Sequence, residues 1–397
     1  MSTTLPTAVF SYPTTVRFGA GERKGLAKSC EALGIARPLL VTDPGLKDLP
    51  MTAELVGLLE EAGLPTAVFA EVAPNPLASN VEAGVAVYRA GDCDGVIALG
   101  GGSAMDCAKA IAFMLPQTLP LAQFEDIGSN WKAANSEGIA PIVALPTTAG
   151  TGSEVALAGV IALDTGEGAD GTKKVIFHPK MLPSIVILDA ELTAGLPRDL
   201  TAATGFDALA HCLEAYSSPL FHPLGDGLAV EGVRLIKQAL PRVCADGRDL
   251  EARGEMLVAA SMGAIAFQKG LGAVHALSHP VGSLYRTHHG RTNAVFLPYV
   301  LAFNRRAIEE KMARLAAYIG LADASFDGLQ AWIMELREEL GIEHTLAQLG
   351  VGEDKLERIV ELALIDPTAP TNPVELTHDN LESLLRASLE GRMPAAA

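Results

Sequence analysis

Val96-Ile97-Ala98-Leu99-Gly100-Gly101-Gly102-Ser103 is an apolar run that breaks into three glycines and then into a helical period, Ser103 to Met114. A short run that is apolar at every position fits a strand buried on both faces. Comparable runs stand at Pro38 to Thr42, Ala67 to Val72, Ile142 to Leu145 and Ile185 to Leu188, and helical periods intervene at Gly21 to Leu33, Met51 to Ala62 and Asn80 to Ala90. Strands alternating with helices predict a mostly parallel sheet covered on both faces. Ahead of it, Phe10, Tyr12, Val16 and Phe18 among threonines, followed by Gly19-Ala20-Gly21, predict extended chain ending in a turn.

After Leu196-Pro197-Arg198 the rhythm changes. From there to about Arg392 only helical periods occur, punctuated by Ser218-Pro219 and Asp366-Pro367, so the reading is an α/β domain at 1–195 and an all-helical domain at 196–397. The 397 residues are 49% hydrophobic and 19% charged, the composition of a well-packed globular protein. A net charge of -17 opposes nucleic acid and anionic membrane as partners. No apolar run is long enough to span a bilayer and no secretory leader opens the chain, so a cytoplasmic protein is expected. The five cysteines are scattered and never paired as C-x-x-C, which predicts reduced thiols, with Cys212 a packing residue.

Glycine after a strand lets backbone approach a ligand closely, and the helix that follows offers free N-H groups to a phosphate. The Gly100 to Ser103 turn is therefore a candidate pyrophosphate cradle, although it is not G-x-G-x-x-G. A second loop, Pro146-Thr147-Thr148-Ala149-Gly150-Thr151-Gly152-Ser153-Glu154, follows a strand and brings hydroxyls to the same sheet edge. Asp43 ends a strand, where a carboxylate suits ribose hydroxyls and repels a 2′-phosphate, favouring NAD over NADP; Asp43-Pro44 is equally a turn starter.

Six of the nine histidines fall between residues 211 and 289. Asp207 and His211 stand four apart on one helical period, and His275 and His279 repeat that spacing before Pro280, which should end or kink the turn. One carboxylate and three imidazoles make a ligand set for Fe2+ or Zn2+ with room for a substrate oxygen. Spacing leaves the third and fourth ligands open among His275, His279, His288 and His289.

At these residues the chain resembles the iron-containing (group III) alcohol dehydrogenases, the family of lactaldehyde reductase and propanediol dehydrogenase. Its segments match G-[FV]-D-A-L-x-H, V-H-x-x-x-H-P, G-G-G-S-x-x-D-x-A-K and P-T-T-x-G-T-G-S-E, and the likeness runs from Phe18 to Thr371-Asn372-Pro373. The resemblance implies a Rossmann-like domain followed by a helical one in a dehydroquinate synthase-like architecture, with the active site in the cleft between them. It implies metal ligands Asp207, His211, His275 and His289, with His279 beside the substrate and not itself a ligand; because an imidazole titrates near working pH, His279 is expected to relay the released proton. Gly101, Gly102, Ser103 and Asp106 of one motif, Thr147, Thr148 and Thr151 of another, and Asp43, Asn75 and Lys173 would contact NAD. Phe267 and Lys269 would border the substrate, Lys269 either as a solvated side chain or as an anchor for a carboxylated alcohol. The expected activity is NAD- and metal-dependent interconversion of a small alcohol and its aldehyde by a homodimer or higher even oligomer. A glycerol dehydrogenase-like or dehydroquinate synthase-like reaction, or a non-catalytic NAD-binding sensor, are the alternatives.

Overall fold

The computed structural model describes residues 14–166, 171 and 173–397. The extended stretch expected at Phe10 and Tyr12 lies outside them. One compact unit ends at Leu196 and a second begins at Pro197.

Among the described residues the first unit is built on eight strands: β1 (Thr15–Phe18), β2 (Pro38–Val41), β3 (Ala67–Phe69), β4 (Gly95–Gly100), β5 (Ile142–Pro146), β6 (Ala158–Ala162), β7 (Lys173–Phe177) and β8 (Ile185–Leu188). Six of them form one parallel sheet in the order β1-β8-β5-β4-β2-β3. Helices α1 (Leu26–Ala32), α2 (Pro44–Lys47), α3 (Pro50–Glu61), α4 (Ala78–Ala90) and α5 (Gly102–Met114) connect and cover it. Leu40, Ile97, Leu99, Val143, Leu145, Ile185 and Ile187 form one apolar layer with Leu26 and Cys30 of α1 and Leu55 and Leu59 of α3. Because successive side chains in a strand alternate in direction, the intervening Leu39, Val96, Ala98, Ala144 and Val186 face the other side, and they too are buried. That two-sided burial is why these strands read as unbroken apolar runs.

The remaining two strands, β6 and β7, pair antiparallel as a separate ribbon, with Val160 opposite Val175. The strand-helix rhythm does not forecast it. Chain order runs outward from β2 to β3 and then returns to β4 on β2's other side, so the ends of β2, β4 and β5 border a topological switch point, where open α/β sheets bind ligands.

The second unit is all helix among the described residues: α6 (Arg198–Ser217), α7 (Pro223–Ala245), α8 (Leu250–Ala266), α9 (Ala273–Tyr285), α10 (His289–Tyr318), α11 (Phe326–Glu339), α12 (Leu356–Leu364) and α13 (His378–Glu390). α6 packs against α7, α8 and α10 and is buried around its whole circumference. Gly205 lets Leu240 of α7 approach, since a Cβ there would lie 2.3 Å from Leu240 Cδ1. Cys212 packs between glycines of α7 and α8: a Cβ at Gly232 would lie 2.6 Å from its Sγ, and one at Gly263 3.1 Å.

Two prolines sit inside helices that carry candidate ligands. Of the two outcomes expected at Pro280, it does not end its turn: α9 continues through it to Tyr285. In α10, Pro298 lacks the N-H that would bond Ala294 O. The buried Arg337 of α11 compensates, donating from Nη1 to Val295 O (3.2 Å) and Ala294 O (3.5 Å). Among the described residues no single helix is long and apolar enough to cross a membrane.

Candidate metal centre and dinucleotide site

Asp207 and His211 lie one turn apart on α6, and burial of that helix keeps both from solvent. α9 brings His275 and α10 brings His289. From Asp207 Oδ1 the Nε2 atoms of His289, His211 and His275 stand at 3.5, 3.9 and 4.0 Å. Ligands held at ~2.1 Å around one tetrahedral ion lie roughly 3.4 Å apart, so the cluster is close to that spacing.

Ligand atoms of Asp207, His275 and His289 all lie within 4.8 Å of one another, and His211 stacks on His275 with ring centroids 4.8 Å apart. Burial alone would push the Asp207 carboxyl up. The imidazoles of His211, His289 and His275, with an N-H from Asn293, outweigh it and hold the group at about 2.

Asn293, one turn after His289 on α10, tests whether these residues suit a cation. Its Nδ2 lies 2.7 Å from Asp207 Oδ1, 3.1 Å from His289 Nε2 and 3.2 Å from His275 Nε2. An amide nitrogen carries two hydrogens, so with both imidazoles presenting an Nε2 lone pair three acceptors would compete for two donors. A surplus of converging acceptors is what a divalent ion satisfies, and the donor set fits Fe2+ or Zn2+.

Of the histidines left open by spacing, the geometry brings together His275 and His289. His288 is exposed at the N-terminal end of α10 and makes no capping bond. The connection from α9 to α10 is Arg286-Thr287-His288, with Arg286 in the left-handed region at φ 56°. His279 stacks on His289 at 5.6 Å, but its Nδ1 is bound to Asp366 Oδ2 at 2.8 Å, which leaves Nε2 as its available nitrogen. Phe267 lies edge-on to His211 at 5.2 Å, so it borders the centre.

Lys269 requires correction. It is neither solvated nor directed at a ligand: it is buried, with Nζ 2.6 Å from Asp226 Oδ1 and its carbonyl accepting from Ser218 Oγ. An ion this deep is retained because it is paired, which removes it as an anchor for a substrate carboxylate.

In the α/β unit, Gly100 to Ser103 meets the threonine loop directly. A Cβ on Gly101 would lie 3.3 Å from Thr148 Oγ1, and one on Gly102 would lie 2.7 Å from Thr151 Cγ2. Thr147 donates its N-H to Gly100 O at 3.0 Å and is buried. The first helical bond of α5 runs from Met105 N-H to Gly101 O, so the N-H groups of Gly102, Ser103 and Ala104 have no acceptor within the helix.

Asp43 starts the turn, as its position allowed. Oδ1 caps α2 by accepting from Gly45 and Leu46 N-H, while Oδ2 lies beside Gly100, 3.5 Å from where a Cβ would stand.

Two motif residues turn out to serve the protein itself. The Ser103 hydroxyl donates to Pro74 O at 2.5 Å, which ties the exposed Asn75 segment to the glycine turn. Asp106, expected among the cofactor contacts, is one turn further into α5 and faces β6. One oxygen accepts from Ser153 Oγ, the other from Val160 N-H at 2.9 Å, and the buried Lys109 ammonium stands 3.3 Å away. Asp106 therefore braces the threonine loop. Of the two adjacent lysines on β7, Lys174 pairs with Glu125 at 3.3 Å. Lys173 lies on the opposite face, where burial lowers its ammonium pKa and the nearby Asp106 partly restores it.

A model of the iron-containing alcohol dehydrogenases matches residues 13–190, and a model of the C-terminal part of the Fe-containing alcohol dehydrogenase family matches 201–389. The chain belongs to the iron-containing alcohol dehydrogenase family. It is 40% identical to the 4-hydroxybutyrate dehydrogenase of Cupriavidus necator over 96% of this chain and all of that one. The crystal structure of a 1,3-propanediol oxidoreductase superposes with a TM-score of 0.90 at 36% identity, covering 96% of this chain and all of that one. Sulfoacetaldehyde reductase from Bifidobacterium kashiwanohense, solved with NAD+, gives 0.86 at 30% identity over 96% of this enzyme and 99% of its own chain. An oxidoreductase on a mostly parallel α/β unit followed by a helical unit, as the motifs implied, is what the family and these structures share.

Four groups at the enzyme's centre escaped the motif reading. Asn293 repeats the four-residue spacing from His289, and Glu214 follows Asp207 by two helical turns, so helical periodicity contained both. Asp366, which holds His279, and Asp226, which pairs Lys269, are distant in sequence from their partners and carry no such signal.

Proposed function

We propose that the enzyme is an NAD-dependent, divalent-metal-dependent dehydrogenase that interconverts a small primary alcohol and its aldehyde. The observation that carries this reading is the convergence of the buried Asp207 and His275 with the partly exposed His289, flanked by His211, around an Asn293 amide that cannot serve them all. When bound, a divalent cation and a nicotinamide dinucleotide supply a Lewis acid for an alcohol or carbonyl oxygen and a donor or acceptor of hydride.

The chain's own residues have the remaining tasks. Gly102, Ser103 and Ala104 offer N-H groups to a pyrophosphate, and Thr148 and Thr151 border it. Asp43 keeps Oδ2 for ribose hydroxyls and disfavours a 2′-phosphate. Asp366 fixes the His279 ring by its Nδ1, so that Nε2 can pass the hydroxyl proton toward solvent. Phe267 excludes water beside His211.

A carboxylated substrate is the second reading, favoured by the 40% identity to a 4-hydroxybutyrate dehydrogenase. Both are tested by metal analysis of anaerobically purified protein, together with NADH and NADPH oxidation across simple and carboxylated aldehydes. We expect about one Fe2+ or Zn2+ per chain, turnover with NADH well above that with NADPH, and loss of activity on chelation that Fe2+ restores. Turnover that persists after the metal is removed would overturn the proposal.

A further inference from the structure

Glu214 belongs to no motif, yet it stands on the face of α6 that carries Asp207 and His211, at spacings of seven and three residues. It is 5% exposed. Both of its oxygens are used, and both partners are on α9. Oε1 accepts the N-H of Val274 at 2.7 Å, and Oε2 is bound to Nδ1 of His275.

The Val274 N-H belongs to the first turn of its helix and has no helical acceptor. One carboxylate thus holds the start of α9 and the ring of the one ligand candidate that helix brings. We propose that Glu214 is the positioning residue of the metal centre, fixing His275 with its proton on Nδ1 and its Nε2 lone pair toward Asp207. The inference rests on the metal reading above and adds the group that prepares this ligand.

The chemistry requires a carboxylate. With Nδ1-H committed to Glu214, His275 Nε2 is an acceptor, in keeping with Asn293 Nδ2 standing 3.2 Å away. A cation arriving at Nε2 displaces no proton and turns no ring. Glutamine at 214 has one acceptor and one donor group, so it satisfies Val274 or His275 and turns an N-H toward the other. Aspartate is one methylene too short to reach both.

α9 uses the same arrangement a turn later, where Asp366 holds Nδ1 of His279. Residues that hold a ligating imidazole by its other nitrogen change metal affinity by about 10- to 100-fold when lost.

The test uses the full chain and its Glu214→Gln and Glu214→Ala variants. Zn2+ affinity is measured by competition with a chromophoric chelator, and the centre is read from the visible absorption of the Co2+ form. We expect both variants to bind Zn2+ about 10- to 100-fold more weakly and to show an altered Co2+ spectrum, with Gln failing to rescue. Should either variant not fold, the histidine tautomers of the metal-free wild type, read by 15N NMR, decide: His275 is expected to carry its proton on Nδ1. Wild-type affinity and spectrum in Glu214→Gln, or the opposite tautomer, would overturn the proposal. A wild-type chain that binds neither ion, with Asp207→Ala indistinguishable from it, would instead defeat the metal reading beneath.

Discussion

His279 shows what one residue's surroundings decide. Its spacing from His275 made it as good a ligand candidate as any, yet it stands outside the group that Asp207, His275 and His289 form, with its Nδ1 held by Asp366. A group that moves a proton without holding the metal is removable without emptying the centre. The His279→Ala variant should retain its full metal content and lose about 10²-fold in kcat. Unchanged turnover at every pH would exclude the relay. Lys269 illustrates the opposite difficulty: a lysine in sequence says nothing of whether an aspartate 43 positions earlier will neutralise it, so neither reading of it anticipated the buried pair.

Helices explain why the histidine motif ends in glycine. Gly290 follows His289 where α10 crosses α6, and a Cβ there would stand 2.2 Å from Ala203 O and 3.4 Å from Asp207 Cβ. Gly290→Ala must therefore push the helix carrying His289 away from the helix carrying Asp207. Overpacking of this kind costs about 1–3 kcal/mol, and we expect a lowered Tm together with metal affinity reduced at least about tenfold. Gly227 on α7 has open space around it, and its change to alanine should leave affinity unchanged and stability equal or higher by about 0.4–1 kcal/mol. Equal affinity in both variants would show that this crossing does not govern the centre. Periodicity identified the helices that carry Asp207, His211 and His275 because apolar spacing is a local property. It left open whether Pro280 ends or kinks its turn, and α9 continues through it to Tyr285.

Over the whole molecule, the change of rhythm at Pro197 was legible because buried parallel strands and packed helices impose different periods on the chain. The β6–β7 ribbon was not, since its pairing joins short segments with no flanking strand-helix pattern. Cysteine chemistry is a property of the whole interior. All five thiols are free; burial pushes those of Cys30 and Cys212 up to about 12 and that of Cys244 to about 11, and raises Cys93 and Cys107 as well. At pH 8 the native chain should release less than one equivalent of chromophore from Ellman's reagent within minutes, and all five equivalents in guanidinium. A native burst of two or more would contradict this interior.

The clamps on α9 also set an order of events during synthesis. Glu214 leaves the ribosome before the helix it holds, whereas Asp366 and Asn372 follow that helix by some ninety residues, Asn372 accepting the N-H of Ala273 at 3.1 Å. A nascent chain that has reached α10 already owns Asp207, His211, His275 and His289, but its His279 is still unrestrained. On the roles proposed for these residues, ion capture would precede the moment at which proton transfer becomes organised, and a half-made enzyme would hold its cation before it could turn over.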